Sequence, residues 1–263
     1  MYTFWALVRK SVQKQITYRA ATTAGFVTNL FFGFIRAAIL IALYGQQTEV
    51  AGVSVQKAIT YAALSQAVIG YLSLFRWFEI IQSVQSGQIA TELTKPIGYF
   101  TYWLSQDLGR ALVQLVLRGI LFMPVFHLFF PLYWPTTLGQ WLAIGAALAL
   151  SWLVSFSWRF LINLPAFWTP NALGIGRFLL ILAWFFSGFM MALRFFPDWV
   201  TRLANLTPFP AMVNTVVEIY LGLLTGPEIL AALASQLFWA VALIVTSQLV
   251  LRLGIKRLVI QGG

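Results

Sequence analysis

RWFEIIQSVQSGQIATELTKPIGYFTYWLSQDLGR, residues 76–110, is the longest run in this chain that hydrocarbon would reject. It carries three of the seven acidic residues (Glu79, Glu92, Asp107) and three basic ones (Arg76, Lys95, Arg110). Around it the composition is extreme: 60% hydrophobic residues, 9% charged ones and a mean hydropathy of +0.82. A soluble domain carries about 25% charge, so this chain lacks the polar surface to cover a water-facing globule. The expected fold class is therefore an all-α polytopic integral membrane protein of one domain, residues 1–263. The run at 76–110 then reads as a polar, helix-prone loop slung between apolar spans, where a soluble partner can grip a membrane protein.

Upstream of that run, residues Ala58 to Phe75 hold no charge, which places a span at about Lys57–Phe75. Before it comes the loop QQTEVAGVSVQ, and before that a span at about Ala21–Gly45, long enough to cross about 30 Å of hydrocarbon. Arg36 lies within this span, about 22 Å up from Ala21 at 1.5 Å per residue, so it can snorkel to the far interface. Residues 1–19 place Trp5, Val8, Val12 and Ile16 on one helical face and Arg9, Lys10 and Lys14 on another. That pattern predicts an interfacial helix on an anionic membrane surface. It is a poor signal peptide, since no small-residue cleavage site follows.

Downstream, residues 111–158 hold one charge, Arg118, and are too long for a single span. FPLYWPTT (130–137) divides them, with Pro131 and Pro135 stopping the helices and Tyr133 and Trp134 suited to a headgroup belt. Spans are expected at about Asp107–Phe130, Leu138–Phe160, Leu173–Leu193 and Ile229–Leu251. Residues 194–228 are moderately apolar and contain four prolines. They predict two short helices joined at Thr207–Pro210, a half-inserted outer hairpin. In its second helix Met212, Val216, Ile219 and Leu223 form an apolar face, and Asn214 and Glu218 a polar one.

Six spans put both termini on one side of the membrane. With the N-terminus inside, inner segments hold twelve of the seventeen Lys and Arg residues and outer segments three. That bias predicts cytoplasmic termini, a cytoplasmic 76–106 loop and an outer 194–228 hairpin in a bacterial inner (plasma) membrane.

The sequence narrows the chemistry. There are no cysteines, and His127 is the single histidine, so Cys-based sites and His clusters are excluded. Mid-membrane carboxylates of the kind ion-coupled carriers use are missing, and no G-x-x-x-x-G-K-[ST] loop is present. No catalytic, cofactor-binding or metal residues are expected. One polar stripe stands out. Asp107, Arg110, Gln114 and Arg118 recur at spacings of three, four and four, on one face of the third span. They line a path or a subunit contact, together with Asn214 and Glu218, or else Arg118 snorkels inward and pairs locally. Within 76–110, Ile80, Ile81, Val84, Ile89 and Leu93 alternate with polar residues, Gly87 marks a turn and Lys95-Pro96 ends the second part.

SGQIATELTKPIGYF (86–100) resembles a motif, SG-x-[IL]-x-x-x-L-x-[RK]-P, of the permease subunits of bacterial type-2 ATP-binding-cassette (ABC) exporters. PDWVTRLANLTPFPAMVNTVVEIYLG (197–222) is similar to the outer hairpin of the same family, and RLGIKRLVIQGG to its tail. The resemblance is to the small six-span permeases with a separate ATPase, and it covers the full length. It implies a cytoplasmic coupling helix at about Gln82–Leu93 that docks on the ATPase, with Gln82, Gln85, Ser86, Gly87, Gln88, Ile89, Glu92, Leu93, Lys95 and Pro96 as contact residues. Two such ATPases, carrying ATP and Mg, and a second permease chain, identical or related, are the implied partners, beside membrane lipids. No cofactor belongs to this chain and no nucleic acid is involved. Lys95 departs from the family, which often has arginine there. Two rivals stand beside the exporter permease: a stand-alone secondary transporter or channel, and a membrane anchor for an ATPase without transport.

Overall fold

The computed structural model describes residues 2–17, 19–75 and 77–257, and for residues 19–22 the backbone alone. Arg76, the side chain of Arg19 and the end of the tail (258–263) therefore lie outside the described residues. The chain is built from α-helices, with one two-residue hairpin (β1 Glu49–Val50 against β2 Val53–Ser54). An amphipathic helix, α1 (Tyr2–Thr17), precedes α2 (Arg19–Tyr44) and α3 (Val55–Leu72). Two short helices, α4 (Glu79–Gln85) and α5 (Ile89–Leu93), lead to α6 (Tyr99–Gln114), a π-helical turn (Leu115–Ile120) and α7 (Phe122–His127). Then come α8 (Leu138–Asn163), α9 (Ala172–Phe186), α10 (Asp198–Asn205), α11 (Asn214–Tyr220) and α12 (Pro227–Ile255).

Four stretches are long and apolar enough to cross a membrane: Thr23–Tyr44, Tyr99–His127, Leu138–Phe167 and Pro227–Ile255. They leave Phe31, Ile35, Leu142, Phe238, Val241 and Leu249 exposed, as surfaces bathed by lipid allow. α9 is apolar but shorter. α3 is different again. Every residue from Ala58 to Leu72 is buried, so it is the central post of the molecule and faces protein on all sides. That is why it carries Thr60, Ser65 and Gln66, whose hydroxyls and backbone find partners within the bundle. Its start is fixed by Ser54, whose side chain accepts from the Lys57 N–H (3.3 Å); Thr137 does the same for α8 at Gln140 (3.2 Å).

The helix expected to begin at about Asp107 begins eight residues earlier, at Tyr99. Pro96 and Gly98 end the preceding segment, and Tyr99 and Phe100 then pack into an aromatic cluster with Phe156 and Phe160. The same helix widens at Leu115–Ile120, where Leu121 N–H bonds the Val116 carbonyl, five residues back. Pro124 explains the position of the wide turn. In a regular helix its ring would strike the carbonyl of Ile120, the last residue of that turn.

α1 lies along α6. Ser11 Oγ donates to the Gln106 carbonyl (2.6 Å), and Gly109 makes the close approach possible. A β-carbon there would stand 2.5 Å from the Val8 carbonyl oxygen.

The segment after α9 folds as two short helices, α10 and α11. α11 is buried but for the half-exposed Thr215, yet too short to satisfy its own ends. Gln140 of α8 donates to the Ile219 and Tyr220 carbonyls (2.9 and 2.8 Å), and Gln236 of α12 to the Ala211 carbonyl (2.8 Å). Irregular backbone in an apolar bundle survives only when side chains close its hydrogen bonds in this way.

Candidate functional site

Residues 77–98 form a compact unit at one end of the bundle. α4 and α5 are separated by Gly87, at φ +74°, a left-handed conformation that glycine adopts without strain. The inner side of the unit is apolar. Ile80 and Ile89 pack with Trp77, Tyr99, Phe160, Leu164 and Phe167. The outer side is polar: Gln82, Gln85, Ser86, Gly87, Gln88 and Pro96 are exposed. Of the ten residues named above for contact with an ATPase, these six face outward. Ile89 (2% exposed) and Glu92 (9%) face inward, and Leu93 and Lys95 are half-buried. Glu92 accepts from Ser83 Oγ (2.7 Å), which ties α5 to α4. Lys95 Nζ lies 3.8 Å from the Tyr102 ring centroid, a cation–π contact that holds the end of the unit to α6. Gln85 Nε2 reaches the Pro170 carbonyl (3.0 Å), in the loop before α9.

The unit is held to the bundle by two side chains of α8. Asn163 Oδ1 accepts from the Ile81 N–H (3.2 Å), one of the amides left free in the first turn of α4. Its Nδ2 donates to the Trp77 carbonyl (3.0 Å) and back to the Arg159 carbonyl (2.7 Å). No side chain of the segment itself caps α4, so Asn163 acts as its cap from a neighbouring helix. One turn earlier, Arg159 is 1% exposed and stacks over Trp77, with its guanidinium carbon 5.1 Å from the ring centroid.

Arg159 is compensated by Asp107 of α6. Nη1 and Nη2 each donate to one carboxylate oxygen at 2.9 Å, the bidentate geometry that arginine favours. Trp152 Nε1 donates to the same carboxylate (2.8 Å), and Arg110 also pairs with it. Every lone-pair direction of Asp107 is thus engaged. The Trp77 and Ile81 backbone, Asn163, Arg159 and Asp107 thus form a continuous chain of polar contacts from the base of the 77–98 unit into α8 and α6.

The stripe Asp107, Arg110, Gln114, Arg118 divides in two. Asp107 and Arg110 face α8, whereas Arg118 sits in the π turn, which unwinds the helix and turns this residue toward α2 and α3. Its side chain fills the room left by two glycines. A β-carbon on Gly25 would lie 2.4 Å from its Nη2, and one on Gly70 2.2 Å from its Cδ. Gln114 is buried between the two groups. Asn214 accepts from Tyr61 OH (3.2 Å) and the Leu193 N–H (3.3 Å), and Glu218 pairs with Arg194 (2.6 Å). Both are anchors of the α11 segment to its surroundings.

Arg159 and Asn163 are absent from the candidate residues that the sequence suggests. A signal was present: Ser151, Ser155, Arg159 and Asn163 recur every four residues in an otherwise apolar helix, and all four are buried.

Residues 27–262 match the family model of the ABC-2 family transporter proteins. No curated protein matches the chain. The chain belongs to the ABC-2 transporter family, and it is an integral membrane protein, the transmembrane permease component of an ABC transporter.

Proposed function

We propose that this permease is driven outward-facing by a separate ATPase that docks on residues 77–98, and that it works beside a second permease chain. In this reading the chain spans the membrane six times, using α2, α3, α6 to α7, α8, α9 and α12. The termini and the 77–98 unit lie in the cytoplasm, and α10 and α11 at the outer side. ATP and Mg are bound by the partner. The observation that carries the reading is the division of labour within 77–98: an exposed polar tip at Gln82–Gln88, rigidly clamped through Asn163 and Arg159 to α8 and α6. A loop that served only to connect α3 and α6 would need neither. Closure of an ATPase pair favours one permease arrangement over another only if it acts on such a rigid lever.

The test is reconstitution with the cognate ATPase. A Gln88→Glu substitution alters the tip and none of the packed residues. It is expected to lower ATPase co-purification and ATP-driven transport by about tenfold or more, as lost complementarity at a small interface does. Membrane insertion and the thermal midpoint are expected to stay unchanged. Full ATPase capture by the altered tip would sink the docking assignment, and transport of equal rate without any ATPase would favour a stand-alone carrier.

A further inference from the structure

At the end of the bundle opposite the 77–98 unit, residues 128–137 join α7 to α8. Pro131 and Pro135 lack amide protons, and residues 131–136 make no backbone-to-backbone hydrogen bond among the described residues. Neighbouring side chains hold this segment instead. Gln56 Nε2 of α3 donates to the Leu132 carbonyl (3.2 Å), and Thr60 Oγ1 accepts from the Tyr133 N–H (2.9 Å). The third bond comes from the single histidine: His127 Nδ1, at the end of α7, accepts from the Leu132 N–H (3.2 Å). Leu132 is 3% exposed and part of the main core, so this amide has no ready exchange for water. The segment carries load beyond itself. Tyr133 OH stands 3.1 Å from where a β-carbon on Gly222 would lie, against the turn that follows α11.

Of the three bonds, only the one to His127 depends on a proton. An imidazole nitrogen accepts a hydrogen bond only while it is bare, so the Leu132 contact selects neutral His127 with its proton on Nε2. In the imidazolium both nitrogens donate, and Nδ1–H would face the Leu132 N–H. His127 itself is exposed, so a proton can reach it. Nothing around it compensates a positive charge. Trp134 meets it edge-on, with ring centroids 5.8 Å apart, and Tyr133 beside it carries the Lys57 ammonium of α3 over its ring at 5.2 Å. α2 meets the segment through Phe34, against Phe129 and Phe130, and the first turns of α8 hold no charge. No carboxylate pairs with His127 among the described residues; Glu218 is taken by Arg194 and Glu228 by the Thr225 N–H. We infer that His127 is a proton-sensitive latch on residues 128–137, closed on Leu132 when neutral and released when protonated. The latch is therefore present above the range in which imidazole titrates, about pH 6.5, and is lost as pH falls through it. On the orientation proposed above this end is the outer one, so the latch reads external acidity; the test below does not depend on that orientation.

Because His127 is the only histidine, full-length chain labelled with ¹⁵N-histidine in lipid nanodiscs gives one imidazole to observe. At about pH 8 its spectrum is expected to show a bare Nδ1 and a proton on Nε2, and at about pH 5 an imidazolium. Over the same range the amides of Leu132 and Tyr133 are expected to lose about tenfold in protection from hydrogen exchange, relative to an unfolded chain at the same pH, while α8 and α12 keep theirs. His127→Gln is expected to abolish this pH dependence. His127→Phe keeps a ring against Trp134 without an acceptor, and is expected to show the low protection at both values. A proton on Nδ1 at about pH 8 overturns the inference, as does protection of 128–137 that is indifferent to pH or a loss that persists in His127→Gln. The imidazole spectrum is read on the natural chain, so it stands even where a variant fails to fold.

Discussion

Arg159 and Arg36 are both arginines on membrane-crossing helices, and their surroundings are opposite. Arg159 is fully enclosed, held by both oxygens of Asp107, and Asp107 is closed in turn by Trp152 and Arg110. Arg36 is half-buried and donates to a hydroxyl and two carbonyls, with its guanidinium carbon 5.2 Å from the Phe189 ring centroid. The first arrangement is internally complete and has no use for a ligand. The second leaves a positive charge at the edge of an open groove. The difference teaches that an arginine in an apolar protein can be settled either by an acid from the chain or by neutral oxygens and a ring face.

The largest way to break this contrast is Asp107→Asn. It leaves the buried Arg159 and the half-buried Arg110 beside a neutral amide, and removal of one partner of a buried pair costs about 3–5 kcal/mol. A large drop in the thermal midpoint in detergent is expected, with substantial recovery in Asp107→Asn, Arg159→Met. If Asp107→Asn unfolds no earlier than the natural chain, the clamp is not the structural element described. Asn163→Ala comes next, at about 1–3 kcal/mol, since it strands the Ile81 N–H and the Trp77 carbonyl. Its effect is local: amide hydrogen exchange is expected to rise within 77–98 while α8 and α12 stay protected. Arg36→Gln is expected to change stability by about 1 kcal/mol or less, because lost hydrogen bonds to carbonyls are offset by relief of a poorly solvated charge. A loss as large as that of Asp107→Asn would erase the distinction. Smallest is Lys95→Ala, about 0.5–1 kcal/mol for the Tyr102 contact, with Lys95→Arg close to neutral; near-identical midpoints for all three chains would remove the cation–π assignment.

The apolar runs that became α2, α8 and α12 were legible because hydrophobic length alone specifies a membrane-crossing helix. Gly87 and the proline-bounded outer segment were legible for local reasons, a left-handed turn and the loss of backbone donors. The start of α6 was not. Ser105, Gln106 and Asp107 look unfit for a bundle until their partners are known, and the partner of Asp107 stands 52 positions later on α8. The π turn was equally hidden, since periodicity assumes 3.6 residues per turn throughout. It is why a stripe that reads as one face ends as two, Asp107 and Arg110 against α8 and Arg118 against Gly25 and Gly70. The inward side of 77–98 was recognisable as apolar, but its outer and inner residues could be sorted only once Phe160, Leu164 and Phe167 were in place beneath it.

The contact at Gly109 has a mechanical side. With the Val8 carbonyl 2.5 Å from where a methyl would stand, α1 and α6 have no slack between them. Any roll of α6 about its own axis carries α1 along, and any tilt imposed on α1 from outside the bundle is returned to α6 and so to the Asp107 carboxylate. The first sixteen-residue helix is thus geared to the clamp through a seam that includes the Gly109 approach and the Ser11–Gln106 hydrogen bond.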